Sequence, residues 1–140
     1  MSKTCLMIGL MAALGPAYAE DAPETERSVE GVRAVEAHWQ KAFLSGDAAY
    51  LETLLDPAYV SVGHAGNARP KAEIIALSKK VAEKKMTPQP PEHPATIVVR
   101  DNAAVVTDSA SGDTSADVFY YASGRWHAWY SQHTPVLPPK

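Results

Sequence analysis

Asp117-Val118-Phe119-Tyr120-Tyr121-Ala122-Ser123-Gly124-Arg125-Trp126-His127-Ala128-Trp129-Tyr130-Ser131-Gln132-His133 holds most of the aromatic surface of the chain. Two runs rich in aromatic and β-branched side chains flank Ala122-Ser123-Gly124-Arg125, where glycine supplies the positive φ that a tight reversal needs, so the stretch is predicted to be a β-hairpin. Strand alternation sends Trp126, Ala128 and Tyr130 to one side of the sheet and Arg125, His127, Trp129, Ser131 and His133 to the other. Both faces carry large rings, and both therefore need cover. We assign Trp126, Ala128 and Tyr130 to a cavity side, which turns His127, Trp129 and His133 outward toward a partner.

Outward from the hairpin, more strands appear. Ala95–Arg100 and Ala103–Thr107 flank Asp101-Asn102, a second hairpin signal, and Ser109–Thr114 is small and polar enough for a turn or loop. Thr134–Lys140 contains Pro135, Pro138 and Pro139 and is expected to add no ladder strand. In the first half, Ser28 is a candidate N-cap with Gly31 a weak spot in the first turn. Val32, Val35, Trp39, Ala42 and Phe43 then recur at helical spacing, with Arg33, Glu36, Gln40 and Lys41 facing water. Ser45-Gly46-Asp47 stops that helix and caps a short second one closed by Asp56-Pro57. Tyr59–Val62 alternates as a strand, His64–Asn67 is a turn, and Pro70 opens a third helix with Ile74, Ile75, Leu77, Ser78 and Val81 inside. Thr87–Pro94, with four prolines, is a connector and a candidate rim of a pocket. Three helices, with one strand after the second, precede a four-strand antiparallel meander. That order argues for an α+β fold with the helices packed on the concave face of a curved sheet.

A chain of 140 residues, 46% hydrophobic and 21% charged, fits one domain. A net charge of -3 and the absence of a basic run argue against nucleic-acid binding. Lys3, the apolar run Cys5–Leu14 and Ala17-Tyr18-Ala19 follow in the order of a secretory signal, with cleavage expected after Ala19 and a periplasmic or secreted product. The expected organisation is a signal peptide at 1–19, a flexible leader at 20–27, the domain at 28–134 and a Pro-rich tail at 135–140. Cleavage removes Cys5, the only cysteine, and with it thiol chemistry and thiolate metal sites. No other apolar stretch is long enough to cross a membrane.

Val35–Tyr59, with Trp39, Ala42-Phe43 and Ser45-Gly46-Asp47 ahead of Leu51 and Leu54-Leu55, resembles the opening of the nuclear transport factor 2-like superfamily. The finish, from Val105-Val106-Thr107 through Asp117-Val118-Phe119 to Gly124-Arg125-Trp126 and Gln132-His133, is similar to its branch called domain of unknown function 4440. The resemblance covers nearly the whole chain after the signal. It implies a cone-shaped α+β fold, often dimeric through its sheet, with a pocket between helices and sheet. Steroid isomerases, polyketide cyclases, dehydratases and binding proteins share that fold, so the fold alone names no reaction. The isomerase pattern is not kept, because the family's helix Tyr falls on Trp39 and its base falls near Gly63 or His64.

His64 is a candidate general base at a pocket mouth, and an exposed turn residue is its plainer role. His127 with Asp117 is a second candidate for proton transfer. No His-x-His, HExxH or compact carboxylate cluster marks a metal site, and no cofactor fingerprint occurs. Trp39, Tyr59, Tyr120, Trp126 and Tyr130 are candidates to line a cavity for an apolar ring-shaped ligand, or else to fill the core. Two functions follow. One is an exported domain that binds a small hydrophobic molecule, working as a homodimer through its sheet face. The other is an isomerase, cyclase or dehydratase with a His base.

Overall fold

The computed structural model describes residues 23–87, 94–110 and 112–136. The expected signal segment, most of the proline-rich connector and the end of the tail lie outside the described residues. Ser28 caps the first helix, α1 (Val29–Ser45), its Oγ accepting from the Gly31 amide at 3.0 Å. Gly46 ends α1 in the left-handed region at φ 73, which a side chain would resist. The next residue, Asp47, caps α2 (Ala48–Leu54) by accepting from the Tyr50 amide. The chain then passes directly into β1 (Leu55–Val62), so Asp56-Pro57 lies at the start of a strand and not at the end of the helix. Around the expected turn, β1 folds back on a three-residue strand, β2 (Ala68–Pro70), which was not expected from the local sequence. Pro70 is the residue before α3 (Lys71–Glu83), in extended backbone at ψ 167, and its missing N–H costs nothing there.

Four strands complete the sheet: β3 (Thr96–Arg100), β4 (Ala103–Ala110), β5 (Asp113–Ala122) and β6 (Arg125–Pro135). They form the expected antiparallel meander, and β6 also pairs in parallel with β1, giving the order β2-β1-β6-β5-β4-β3. The β5–β6 hairpin closes on Ser123-Gly124, at φ 52 and 77, two left-handed residues in a two-residue turn whose twist suits the flanking strands. Thr134 and Pro135 remain in the ladder opposite Thr114 and Asp113, contrary to the expectation for the tail. Pro135 is tolerated because β1 has already ended opposite Gln132, while the next residue, Val136, donates to Gly112 at 2.8 Å.

The helices lie on the concave face, and the buried core runs between them through Val32, Val35, Leu51, Leu55, Phe119 and Trp126. The narrow end is sealed by Glu24–Arg27, which the sequence placed in a loose leader. Trp126 Nε1 donates to the Glu26 carbonyl at 2.8 Å and Tyr121 Oη to the Thr25 carbonyl at 2.6 Å. Glu24 accepts from Tyr50 Oη at 2.9 Å and pairs with His38 at 2.5 Å. Gly31 is required at this seam, since an added Cβ would fall 2.0 Å from the Glu26 carbonyl oxygen. No helix among the described residues is long and apolar enough to cross a membrane.

Candidate functional site

One irregularity decides which side chains meet. In the β5–β6 ladder, Val118 pairs with Tyr130 and Phe119 with Ala128, so Trp129 is an extra residue on β6. A bulge of this kind accentuates the local twist and shifts the alternation beyond it by one residue. Trp126 and Ala128 point inward and are buried, as expected. Past the bulge the two faces exchange. Ser131 and His133 turn into the cone, and Tyr130 turns out, half-exposed, its hydroxyl donating to Gln132 Oε1 at 2.7 Å. The assignment of Tyr130 to the cavity and of His133 to the outer face is therefore corrected.

Between α1, α3 and the concave sheet lies a cavity of about 840 Å³. Trp39, Phe43 and Tyr59 form aromatic wall, Trp39 standing edge-to-face to Tyr59 (6.0 Å) and Phe119 (5.8 Å). Inside, Tyr59 Oη donates to Ser131 Oγ at 2.8 Å, and Ser131 donates in turn to Asp117 Oδ1. All three residues are buried. Burial pushes the Tyr59 hydroxyl up to about 12, so it remains a donor across the physiological range.

Glu36, expected to face water, lines the same cavity from α1. Val32, Glu36, Trp39 and Phe43 share one stripe of the helix at spacings of four, three and four, and the upper part of that stripe looks into the cavity. Glu36 Oε1 is fully buried and is the one buried side-chain oxygen or nitrogen among the described residues without a hydrogen-bond partner. Burial holds its carboxyl well above the usual range, and the nearby charges of Asp117 and Asp108 push the same way. Asp117 is also raised by burial, against the Ser131 hydrogen bond and the neighbouring His133, which favour its ionised form. Of the two carboxyls, Glu36, with no donor of its own, is the one its surroundings push further toward the protonated form.

At the rim, His64 Nε2 meets Asp113 Oδ1 at 2.9 Å and His133 Nδ1 meets Asp113 Oδ2 at 3.2 Å. The first sequence candidate, His64, thus has a carboxylate partner that sequence reasoning did not find. The second candidate pair is not assembled. Asp117 is inside, whereas His127 lies on the outer face, stacked on Tyr120 at 5.1 Å. Tyr120 also lies outside the cavity, donating to Asp56; this bond lowers the Asp56 carboxyl and raises the phenol to about 12. Of the five aromatic candidates, Trp39 and Tyr59 line the cavity, Trp126 is buried in the core, and Tyr120 and Tyr130 face away. Ser61, Asp108, Asp113, Ser131 and Glu36 escaped the sequence reading, and only Glu36 left a signal, its place on the α1 stripe. Among the described residues, no group of three or more His, Cys, Asp or Glu side chains is arranged to hold a metal ion.

No protein-family model matches the chain, and no curated protein matches it in sequence. Solved structures do match. A nuclear transport factor 2-like protein from Cytophaga hutchinsonii superposes with a TM-score of 0.63 at 17% identity, covering 76% of this chain and 97% of that one. A candidate calcium/calmodulin-dependent kinase II association domain from Exiguobacterium sibiricum gives 0.64 at 16% identity, covering 81% and 98%. A candidate dehydratase of the nuclear transport factor 2-like family from Streptomyces avermitilis gives 0.60 at 16%, covering 79% and 96%. At these identities the likeness establishes architecture, and with the curved six-strand sheet and its three helices it shows that this chain has the nuclear transport factor 2-like fold.

Proposed function

We propose that the chain is an exported small-molecule-binding domain that holds a compact, largely apolar ligand in the cone cavity, with the ligand's polar group set against Glu36, Asp117, Ser131 and Tyr59. The observation that carries this reading is the unpartnered Glu36 Oε1 in the wall of a cavity of about 840 Å³. A space of that size is in the range of small-molecule sites, and a buried polar atom left unmatched inside it is a group awaiting a partner. Native mass spectrometry of the purified protein, with thermal-shift screening of steroid, polyketide and aromatic libraries, tests it. A ligand at a hundred times its Kd adds about 2.7 kcal/mol of stability. No co-purifying molecule and no stabilising compound would refute the reading. Export rests on the order of Lys3, Cys5–Leu14 and Ala17-Tyr18-Ala19, and an N-terminus at Glu20 in periplasmic or secreted protein is the result expected of it.

The outer sheet face supports self-association. Val98, Val105, Trp129 and Tyr130 are exposed there, Val98 at 57% and Trp129 at 54%. A second copy of the same face is the proposed cover, and sedimentation showing a dimer that Val105→Lys converts to monomer is the expected outcome.

The rim favours one second reading. His64 held by Asp113, beside a cavity where burial pushes the Glu36 carboxyl toward its protonated form, supplies a base and an acid for an isomerase- or dehydratase-type proton transfer. Turnover that survives both His64→Ala and Asp113→Asn would exclude it.

A further inference from the structure

The cavity gathers acidic side chains without ion-pair partners among the described residues, which an apolar ligand alone does not answer. Glu36 from α1, Asp108 from β4 and Asp117 from β5 reach one space from three separate elements. None of the three takes part in an ion pair among the described residues. The cationic and imidazole side chains of the same lining make no ion pair with these three acids. Arg33 is exposed, Arg69 binds the Asn67 side chain at 3.2 Å, and His64 and His133 are both engaged by Asp113. Trp39 and Tyr59 add π faces and edges beside the acids, the surroundings in which an organic cation is held.

We propose that the inner wall of the cavity is a cation subsite, and that its ligand is a small organic amine with an aromatic or alicyclic body, its ammonium group seated against Glu36, Asp108 and Asp117. The proposal rests on the binding reading above and names the ligand class. An ammonium group brings up to three donors to the orphaned Glu36 oxygen and its neighbours, and its charge relieves the repulsion among the three carboxylates. A bare metal ion is a poorer match, since no three of these groups converge with metal-ligating geometry among the described residues.

The alternative is a neutral ligand whose carbonyl accepts the Glu36 proton, and the two differ in their linkage to pH. An amine needs the carboxylate, so its binding expels the Glu36 proton to solvent and tightens as pH rises through that titration. A carbonyl needs the acid, so its binding weakens over the same range. The polar and titratable groups that line the cavity with Glu36 include Asp108, Ser115 and Asp117 from β4 and β5, Tyr59 from β1, Arg69 from β2, Ser131 and His133 from β6, His64 from the turn after β1, and Arg33 on its own helix. A His133→Asn control separates the contribution of the rim imidazole.

The test is calorimetric titration of the purified chain with benzylamine, benzyl alcohol and benzaldehyde between pH 5 and 8, with proton release followed by an indicator dye. The proposal expects benzylamine to bind at least about tenfold more tightly than the alcohol at pH 8, as a charge-assisted contact should. It also expects proton release on binding, and loss of both preference and release in Glu36→Gln but not in His133→Asn. An alcohol or aldehyde that binds as well as the amine would overturn it, as would a Glu36→Gln variant with unchanged preference. If these probes fail while library compounds stabilise the protein, the cation subsite falls and the pocket stands. If nothing binds at all, both fall.

Discussion

Replacing Glu36 by glutamine should make the protein more stable, and more so as the pH rises. In the native state Glu36 holds its proton more tightly than an unfolded-chain glutamate, whose pKa is about 4.3. Over the interval between the unfolded and folded values the native state binds more protons than the unfolded one. The contribution of Glu36 to stability is therefore complete below about pH 4 and falls as the pH climbs through the folded titration. Glutamine mimics the protonated acid in shape and hydrogen-bonding capacity and never ionises, so the variant escapes that loss. Leaving a buried polar group unsatisfied costs about 1–3 kcal/mol, and more for a charge. Part of the Glu36 side chain reaches solvent at the cavity opening, so the lower part of that range applies, about 1–2 kcal/mol at pH 8. For a domain near 100 residues that is a rise in Tm of about 5–10 °C. Thermal denaturation followed by circular dichroism at pH 4, 6 and 8 measures it. Wild type and variant should coincide at pH 4 and diverge steadily above it. A variant less stable than wild type at pH 8, or two parallel pH profiles, would show that Glu36 is not held protonated by its surroundings.

Ser131→Ala removes the donor to Asp117 and the acceptor for Tyr59 together, and should cost about 2–4 kcal/mol in urea denaturation at pH 7; a loss below about 0.5 kcal/mol would mean that the relay is not holding the buried carboxyl. Gly31→Ala should destabilise by about 1–3 kcal/mol through collision with the Glu26 carbonyl, although alanine is the better helix former by about 1 kcal/mol. If that variant is instead stabilised, Glu24–Arg27 does not pack against α1. Gly124→Ala, at φ 77 in the β5–β6 turn, should cost about 1 kcal/mol with no change in cavity binding, read by urea denaturation and ligand titration in parallel.

Those positions also mark where the sequence was informative. Short-range chemistry was legible: the Ser28 and Asp47 caps, the stop at Gly46, the reversal at Ser123-Gly124 and the α1 stripe each depend on residues within a turn of one another. The parallel pairing of β1 with β6 and the carboxylate that meets His64 depend on residues far apart in the chain, about which local periodicity is silent. Glu36 was misplaced for a related reason. On a helix packed over a filled core, a charged residue beside the apolar stripe faces water, but α1 borders a cavity, and the edge of its stripe faces inward. The bulge at Trp129 had the largest effect. An aromatic residue between Ala128 and Tyr130 looks like any other strand position, and alternation counted through it sends Ser131 and His133 outward. Counted with Trp129 omitted, the alternation of β6 matches the structure from Trp126 to His133. One unpaired residue thus brings Ser131 under Tyr59 and beside Asp117, sets His133 at the rim with Asp113, and leaves Tyr130 and Trp129 on the apolar outer face. The polar lining that Ser131 and His133 bring to the cavity and the exposure of Trp129 and Tyr130 on the opposite surface have the same physical origin, a single extra residue in β6.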